Sequence, residues 1–293
     1  MGRRGTLLLI AGALLAGGAA AVVAQGQFDK VEIQPEKLAA NVWVLYGAGG
    51  NIGVCTGDDG VVLVDDQFAP LAPKIQAAVK RLSDRPLRWV INTHWHGDHV
   101  GGNEAMADAG ATIVADDAVR RRMIAGQHSE FFHRDTPPAP AKALPVVTFS
   151  DSATLHVNGD DVLAFHVAPA HTDGDVIVWF RHANVVHMGD TFFNGGYPIV
   201  DLESGGSVDG MIAACDRVLP LLGPDTKVVP GHGQAGDRES LRAYRGMLAG
   251  VRANVAKLVD AGRSEDEAVA AKPTADWDAQ WGRKFLQPDV FTR

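Results

Sequence analysis

Short apolar runs alternate with amphipathic segments along most of the chain. The runs at 41–47, 51–57 and 61–66 carry β-branched residues and are separated by turn-forming residues, which predicts strands that begin as a meander. After Pro73, apolar residues recur at three- and four-residue steps, so a helix with one apolar face is expected before a strand at 87–92. This rhythm is typical of a layered α/β protein.

The alternation continues to the C-terminus with one interruption. Further helices are predicted at 104–109, 116–125, 208–222 and 239–261, and further strands at 111–115, 146–149, 153–157, 161–168, 176–180, 183–188 and 226–229. The segment 128–145 contains four prolines and no clean period, so a long surface loop is predicted there. Trp277 and Trp281 lie four residues apart, which predicts a last helix packed onto the body.

The first residues have the pattern of an export signal. A cationic start at Arg3 and Arg4 precedes an apolar stretch and a small-residue site ending at Ala24, which predicts a signal peptide at 1–24 and a single domain at 25–293. The paired arginines leave a twin-arginine signal open, and an uncleaved membrane anchor is the alternative. The expected location is periplasmic or secreted, with no membrane contact after cleavage.

Composition and charge narrow the classes of function. A chain of 293 residues with 46% hydrophobic residues can bury a full core. Its formal charge of -8 disfavours a nucleic-acid partner, so a small-molecule substrate is expected, and the oligomeric state stays open. Cys55 and Cys215 lack the spacing of a zinc pair and are predicted to be buried apolar side chains, although an exported protein leaves one disulfide open.

A dense group of metal-binding side chains follows the predicted strand at 87–92. The sequence THWHGDH at 93–99 places His94, His96, Asp98 and His99 within one short turn-forming stretch. Imidazole nitrogen and carboxylate oxygen suit zinc and similar ions, and a loop lets neighbouring side chains converge. The alternative, a solvated loop rich in histidine, accounts poorly for this density.

Three further candidate ligands occupy the same kind of position. His171, Asp190 and His232 each follow a predicted strand. Each alone is weak, since a single histidine after a strand is more often a surface or capping residue. In layered α/β folds, however, strand ends present their loops to a common edge, so ligands from several loops can meet at one site.

These motifs resemble the metallo-β-lactamase superfamily, in which an HxHxDH loop is followed by a distant histidine, a distant acidic or cysteine ligand and a late histidine. The resemblance implies an α/β fold of four layers, an αβ/βα sandwich of two mixed β-sheets flanked by helices, with the site on one edge. It also implies two zinc ions per chain. The implied ligands are His94, His96 and His171 for one ion, Asp98, His99 and His232 for the other, and Asp190 as a bridge between them.

Two ions held in this way would lower the pKa of a water molecule and supply hydroxide as the nucleophile. No serine, cysteine or lysine nucleophile is then needed. Asp98 is the candidate catalytic residue, because it would orient the hydroxide and relay a proton. The implied reaction is hydrolysis of an activated carbonyl in a lactam, lactone, ester or thioester.

Asp190 bears on the choice of substrate. One β-lactamase branch has cysteine at this position and another lacks an acidic bridging ligand, whereas a bridging aspartate resembles glyoxalase II and the lactonases. Glyoxalase II acts on a glutathione thioester, normally in the cytoplasm, and the leader argues against that substrate. The expected function is therefore an exported zinc-dependent hydrolase of the β-lactamase-like type that acts on a β-lactam or lactone.

Several alternatives stay open. The first is a thioesterase of the glyoxalase II type. The second is a persulfide dioxygenase, an oxidoreductase with a single iron, which the complete second set of Asp98, His99 and His232 disfavours. A non-catalytic metal-binding or sensing protein is disfavoured because no expected ligand is missing, and a nuclease fits least because the chain is acidic.

Overall fold

The computed structural model describes residues 26–131, 133–284 and 286–293. The larger of the two units into which the chain divides covers residues 32–293. The predicted signal peptide lies outside the described residues and stays a prediction. Within the described ranges, no helix combines the length and the apolar character needed to cross a membrane.

A seven-stranded mixed sheet forms the first half of the larger unit, in the order β1-β2-β3-β4-β5-β6-β9. Its first four strands pair antiparallel, whereas β4, β5, β6 and β9 pair parallel. The strands are β1 Gln34–Lys37, β2 Val42–Tyr46, β3 Ile52–Cys55, β4 Val61–Val64, β5 Leu87–Ile91, β6 Thr112–Asp116 and β9 Val147–Phe149. The predicted meander is therefore present, and β1, whose residues are all exposed, extends it at the edge.

A five-stranded sheet forms the second half, in the order β10-β11-β12-β13-β14. Its first four strands pair antiparallel, and β14 joins β13 in parallel. The strands are β10 Ser152–Val157, β11 Asp160–His166, β12 Val176–Phe180, β13 Val185–His187 and β14 Lys227–Val229. The parallel pair brings the ends of β13 and β14 to the same edge, which places the loops that follow them side by side.

Helices flank both sheets. Their bounds are α1 Ala72–Leu82, α2 Gly97–Val100, α3 Asn103–Asp108, α4 Asp117–Ala125, α5 Val208–Val218, α6 Arg238–Asp260, α7 Glu265–Ala270, α8 Asp278–Trp281 and α9 Pro288–Thr292. Sequence signals set several of their ends. Asp237 caps α6 and Ser264 caps α7, and in each case the side chain accepts a backbone hydrogen bond from the third helical residue.

Apolar alternation along the strands builds two of the cores. In β12, Val176 and Val178 face the first sheet, where they pack with residues such as Val64 and Ile91. Ile177, between them, faces the other way and joins a cluster with Met211 and other residues of α5 and α6. Successive side chains of a strand point to opposite faces, so the continuous apolar run VIVWF of β12 is the expected signature of a strand buried on both faces. The four-layer sandwich predicted from the sequence is confirmed.

The structure corrects the prediction for 128–145. This segment is not a continuous loop, because β7 Gln127–Ser129 and β8 Arg134–Thr136 pair as an antiparallel hairpin and a short 3-10 turn follows at Ala141–Ala143. The hairpin strands are short and polar, so they carry no apolar alternation from which a strand could be predicted. Cys55 and Cys215 are both buried and free, as the simpler interpretation predicted.

Candidate metal centre

The seven candidate ligands meet at one edge of the sandwich. β5 leads into a loop carrying His94 and His96, and then into α2, which begins at Gly97 and carries Asp98 and His99. The remaining three ligands follow strands of the second sheet. They are His171 after β11, Asp190 after β13 and His232 after β14.

The candidate ligand atoms form three overlapping groups. Within each group the atoms lie within 4.8 Å of one another, and the groups are His94, His96 and His171; His94, His99 and Asp190; and Asp98, His99 and His232. Nδ1 of His96 lies 2.8 Å from Nε2 of His171. Asp190 lies at the centre, with Oδ1 3.1 Å from Nε2 of His99 and Oδ2 3.3 Å from Nε2 of His232.

The donor set fits divalent metal ions. Nε2 of His94 is buried and makes no hydrogen bond within the described part of the chain, so an inward-facing donor lacks a protein partner. Two glycines leave space at the ligands. A side chain at Gly50 would overlap the ring of His99, and one at Gly231 would overlap the carboxylate of Asp190. The three-histidine group and the mixed carboxylate group both match sites that zinc favours.

His99 is oriented from behind by a carboxylate. Its Nδ1 lies 2.7 Å from Oδ2 of Asp65, which leaves Nε2 to face the cluster. Asp65 is fixed in turn, because it accepts hydrogen bonds of 2.7 Å from both the backbone N–H and the hydroxyl of Thr93. Outer carboxylates of this kind set the tautomer and orientation of a ligating histidine.

His96 and His171 are oriented by the segment that follows β13. Nε2 of His96 lies 2.8 Å from Oδ2 of Asp201, so its Nδ1 is the atom that faces the cluster. The Asp201 carboxylate also accepts from the hydroxyl and the backbone N–H of Ser204. Nδ1 of His171 donates to the carbonyl of Ile199 at 2.8 Å. One short segment therefore sets the orientation of two imidazoles.

Before metal binds, four imidazoles of the ligand cluster fall into two classes by the direction in which their pKa is shifted. Burial lowers the pKa of His94 well below its ordinary value and that of His171 to about 4. Burial also opposes charge on His99 and His232, but Asp190 and Asp98 outweigh it. They raise the pKa of His99 well above its ordinary value and that of His232 to about 9. The histidines of the first class are therefore neutral at pH 7, and those of the second are protonated.

We expect the two classes to load metal with different pH dependence. Metal binding needs neutral imidazoles, so each proton displaced makes the apparent affinity rise about tenfold per pH unit below the pKa of the group. The cluster containing His99 and His232 should gain zinc affinity steeply between about pH 6.5 and about pH 8.5, whereas binding at His94 and His171 should change little. Zinc titration against a competing chelator measures both slopes. Equal pH dependence of zinc affinity at the two groups of histidines would contradict the two pKa classes.

Replacing Asp65 with asparagine should weaken metal binding at His99. Asparagine offers one acceptor oxygen where the carboxylate offers two, so either Thr93 or His99 loses its partner. The backbone is preserved, because Asp65 has a φ of 65° and asparagine also adopts this conformation. Metal affinity should fall by about 10–100-fold. The control is Asp66→Asn, a neighbouring buried aspartate outside the ligand groups, and an equal loss in both variants would refute the role of Asp65.

A pocket of about 250 Å³ opens over the ligands. Phe68, Trp95 and Phe193 contribute apolar walls, and Arg134 of the β7–β8 hairpin contributes a cation. Phe193 stacks on the His232 ring at 5.1 Å between centroids. The pocket therefore combines a reactive edge lined by candidate ligands with a surrounding wall that is mostly apolar, which is the usual make-up of a small-molecule site.

Sequence reasoning missed the residues that hold the ligands from behind. Asp65 follows the buried strand β4 at the same sheet edge as the histidine loop. That position in the sequence could have identified Asp65 as a residue near the site. Asn51 was also missed. Its side-chain amide donates to the carbonyls of Pro230 at 2.9 Å and Gly233 at 2.8 Å, which ties the loop carrying His232 to the first sheet.

Comparison with known proteins decides the family. A family model described as the metallo-beta-lactamase superfamily matches residues 45–253, more than half of the chain. The protein belongs to the metallo-beta-lactamase superfamily. Members of this superfamily are metal-dependent hydrolases, and the matched range contains all seven candidate ligands.

Relatives within the superfamily differ in activity. The chain is 23% identical over 215 residues to a metallo-beta-lactamase type 2 from Bacillus cereus, covering 70% of this chain and 78% of that protein. It is 33% identical over 148 residues to a hydroxyacylglutathione hydrolase from Methylococcus capsulatus, covering 49% of this chain and 47% of that protein. The chain therefore spans about half the length of the second relative.

Solved structures share the fold. A metallo-beta-lactamase from Pontibacter korlensis superposes with a TM-score of 0.63 at 19% identity, covering 74% of this chain and 99% of that one. The inverting sec-alkylsulfatase Pisa1 from a Pseudomonas species gives a TM-score of 0.67 at 16% identity, covering 89% of this chain and 49% of that one. At these identities the likeness establishes the fold alone.

Proposed function

We propose that this protein is an exported hydrolase with two zinc ions that opens an activated carbonyl in a β-lactam or a lactone. The observation that carries the proposal is the convergence of seven candidate ligands at one site, five of which line the pocket, with Nε2 of His94 buried and unpaired among the described residues. Zinc held there would supply Lewis-acid chemistry to a carbonyl and lower the pKa of water. The proposal of export rests on the leader pattern of residues 1–24.

Asp98 is proposed as the residue that handles the proton. Three carboxylates line the metal pocket, and Asp98 is the most exposed, with 26% of its side chain accessible against 5% for Asp190 and 12% for Asp201. Burial raises its pKa, but the charges of His99 and His232 outweigh burial and hold the pKa below its ordinary value. Asp98 is therefore an ionised acceptor at neutral pH, which is the state needed to orient a water molecule and take its proton.

Arg134 supports a substrate that carries an anionic group. It belongs to the β7–β8 hairpin and lines the pocket together with five of the candidate ligands. A guanidinium binds a carboxylate through two parallel hydrogen bonds, and β-lactams carry such a carboxylate close to the scissile bond. The Arg134→Met variant should therefore raise KM for a β-lactam more than for an uncharged lactone.

A glutathione thioester is the second candidate substrate. The similarity to a hydroxyacylglutathione hydrolase, at 33% identity over 148 residues, favours it. Thioester hydrolysis uses the same attack on an activated carbonyl, so the ligand cluster serves either substrate. The two candidates differ in the leaving group, and direct assay separates them.

The test is turnover by the zinc-loaded protein of a chromogenic β-lactam, a lactone and a glutathione thioester. Each assay is repeated with chelator, with Asp98→Ala and with the control Asp161→Ala, an aspartate that pairs with His156 outside the ligand groups. We expect chelator-sensitive hydrolysis that Asp98→Ala lowers by about 10²–10⁴-fold and the control retains. Turnover of the thioester alone selects the second candidate. Bound zinc with no turnover of any substrate overturns the proposal, and iron content with oxygen uptake replaces it with a dioxygenase.

A further inference from the structure

A second cavity of about 500 Å³ adjoins the metal pocket. Its walls come from the segment 198–203, from α6, from the hairpin residues Ser129 and Phe131, and from the C-terminal stretch 286–293. We call it the apolar cavity. Its volume lies within the range of about 300–1,000 Å³ that is usual for small-molecule sites.

The apolar cavity and the metal pocket share part of their lining. Ser129, Ile199 and Asp201 line both. The shared segment is attached directly to candidate ligands, because the Ile199 carbonyl accepts from Nδ1 of His171 and the Asp201 carboxylate lies 2.8 Å from Nε2 of His96. The apolar cavity is therefore the space next to a molecule whose reactive group lies at the ligands.

The rim of the apolar cavity exposes large apolar side chains. Leu202 is 70% exposed, Phe131 51% and Val290 37%, and these three are among the few large apolar side chains this exposed in the described ranges. Leu248 and Val251 of α6 form a buried floor. Apolar side chains gathered at one exposed place mark a binding site, whereas isolated ones need no explanation.

The two arginines that line the apolar cavity are paired with carboxylates, and the carboxylate of Glu203 accepts a hydrogen bond of 2.9 Å from the backbone N–H of Glu130. Arg252 binds both carboxylate oxygens of Asp209, at 2.6 and 3.0 Å. Arg293 binds Glu265 at 2.6 Å and Asp266 at 2.9 Å. Because their cations are paired, these arginines do not offer a site for an anionic head group, and the remaining charge at the cavity, on Glu203, would repel one.

We propose that the apolar cavity binds an acyl or alkyl chain of the substrate while the activated carbonyl lies at the ligand cluster. The substrate class is then an amphipathic lactone, ester or thioester with an extended hydrocarbon arm. This inference rests on the proposed hydrolase function and adds the second half of the substrate to it. Burial of each methylene group should favour binding by about fourfold.

The experiment compares para-nitrophenyl esters with acetyl, butanoyl and octanoyl chains on the zinc-loaded protein. We expect kcat/KM to rise by about 10³-fold or more from acetyl to octanoyl, because six methylene groups are added and each contributes about fourfold. Leu202→Glu and Val290→Glu each place a charge at the rim and should remove most of this rise. Leu221→Glu is the matched control, because Leu221 is 45% exposed and does not line the cavity, and it should keep the rise.

Calorimetric titration with decanoate tests the cavity without turnover. Binding that Leu202→Glu weakens at least about tenfold and Leu221→Glu preserves supports the inference even where no ester is hydrolysed, a result that would count against the proposed function alone. The inference is overturned if ester hydrolysis does not depend on chain length, or if decanoate binding is absent or equal in all variants. Either result leaves the proposed hydrolase function standing. The inference is also overturned if the unaltered protein is a dimer and Leu202→Glu makes it a monomer with an unchanged chain-length profile, because the rim would then be an interface between two copies.

Discussion

The Asp190→Asn variant is expected to lose metal and to lower kcat/KM by at least about 100-fold. The two oxygens of Asp190 face different partners, with Oδ1 3.1 Å from Nε2 of His99 and Oδ2 3.6 Å from Nε2 of His171. Asparagine keeps the shape but removes the charge and replaces one oxygen with an amide group that cannot ligate. Since loss of an outer hydrogen-bond partner alone costs about 10–100-fold in affinity or activity, loss of a shared ligand should cost more.

Metal content after dialysis and kcat/KM of the zinc-loaded protein measure the effect of Asp190→Asn. Asp160→Asn is the matched control, because Asp160 is also 5% exposed but accepts its hydrogen bonds from the backbone of His182 and Ala183. The control should bind metal as the unaltered protein does. Full metal content in Asp190→Asn would refute the shared-ligand position of this carboxylate.

The ligand cluster could be predicted from the sequence because its members follow strands. His94, His171, Asp190 and His232 each lie just beyond a strand with an apolar pattern strong enough to be read. Strand ends fix where the loops emerge, so the edge of the sandwich was predictable without knowing the loop conformations. The family match then confirmed the fold that the same motif implied.

The second layer of contacts could not be predicted in this way. Asp201 lies in an irregular segment, and its contact with His96 spans 105 positions of the chain. No local pattern connects the two, because the contact depends on how the segment after β13 folds back over the site. The β7–β8 hairpin could not be predicted for a different reason, because its strands carry no apolar alternation.

Close backbone approach is a second kind of information that sequence patterns lack. From the sequence alone, a glycine inside a predicted helix, such as Gly210 in α5, indicates only a residue of low helix propensity. The structure shows why it is there. A side chain at Gly210 would overlap the carbonyl oxygen of Pro169 and lie 2.9 Å from Cα of Ala170, so α5 packs directly on the backbone that leads into His171.

The Gly210→Ala variant is therefore expected to lower the free energy of unfolding by about 3 kcal/mol or more, the upper end of the usual cost of overpacking. The overlapping atoms belong to the backbone, so no rotamer change relieves them. Because α5 is also tied to this segment through the hydroxyl of Ser207, which donates to the Pro169 carbonyl at 3.0 Å, the strain should shift His171 as well. Zinc affinity should fall together with stability.

Urea unfolding of the metal-free protein and zinc titration at one pH test the Gly210→Ala variant. Gly246→Ala is the matched control, since Gly246 also lies within a helix, α6, and has nothing within 4 Å of the added methyl group. There the substitution should stabilise the protein by about 0.5–1 kcal/mol, because alanine loses less backbone entropy than glycine on folding. If the Gly210→Ala protein is as stable as the control, α5 can move away from Pro169. If its zinc affinity is also unchanged, His171 is positioned by Ile199 rather than by this helix.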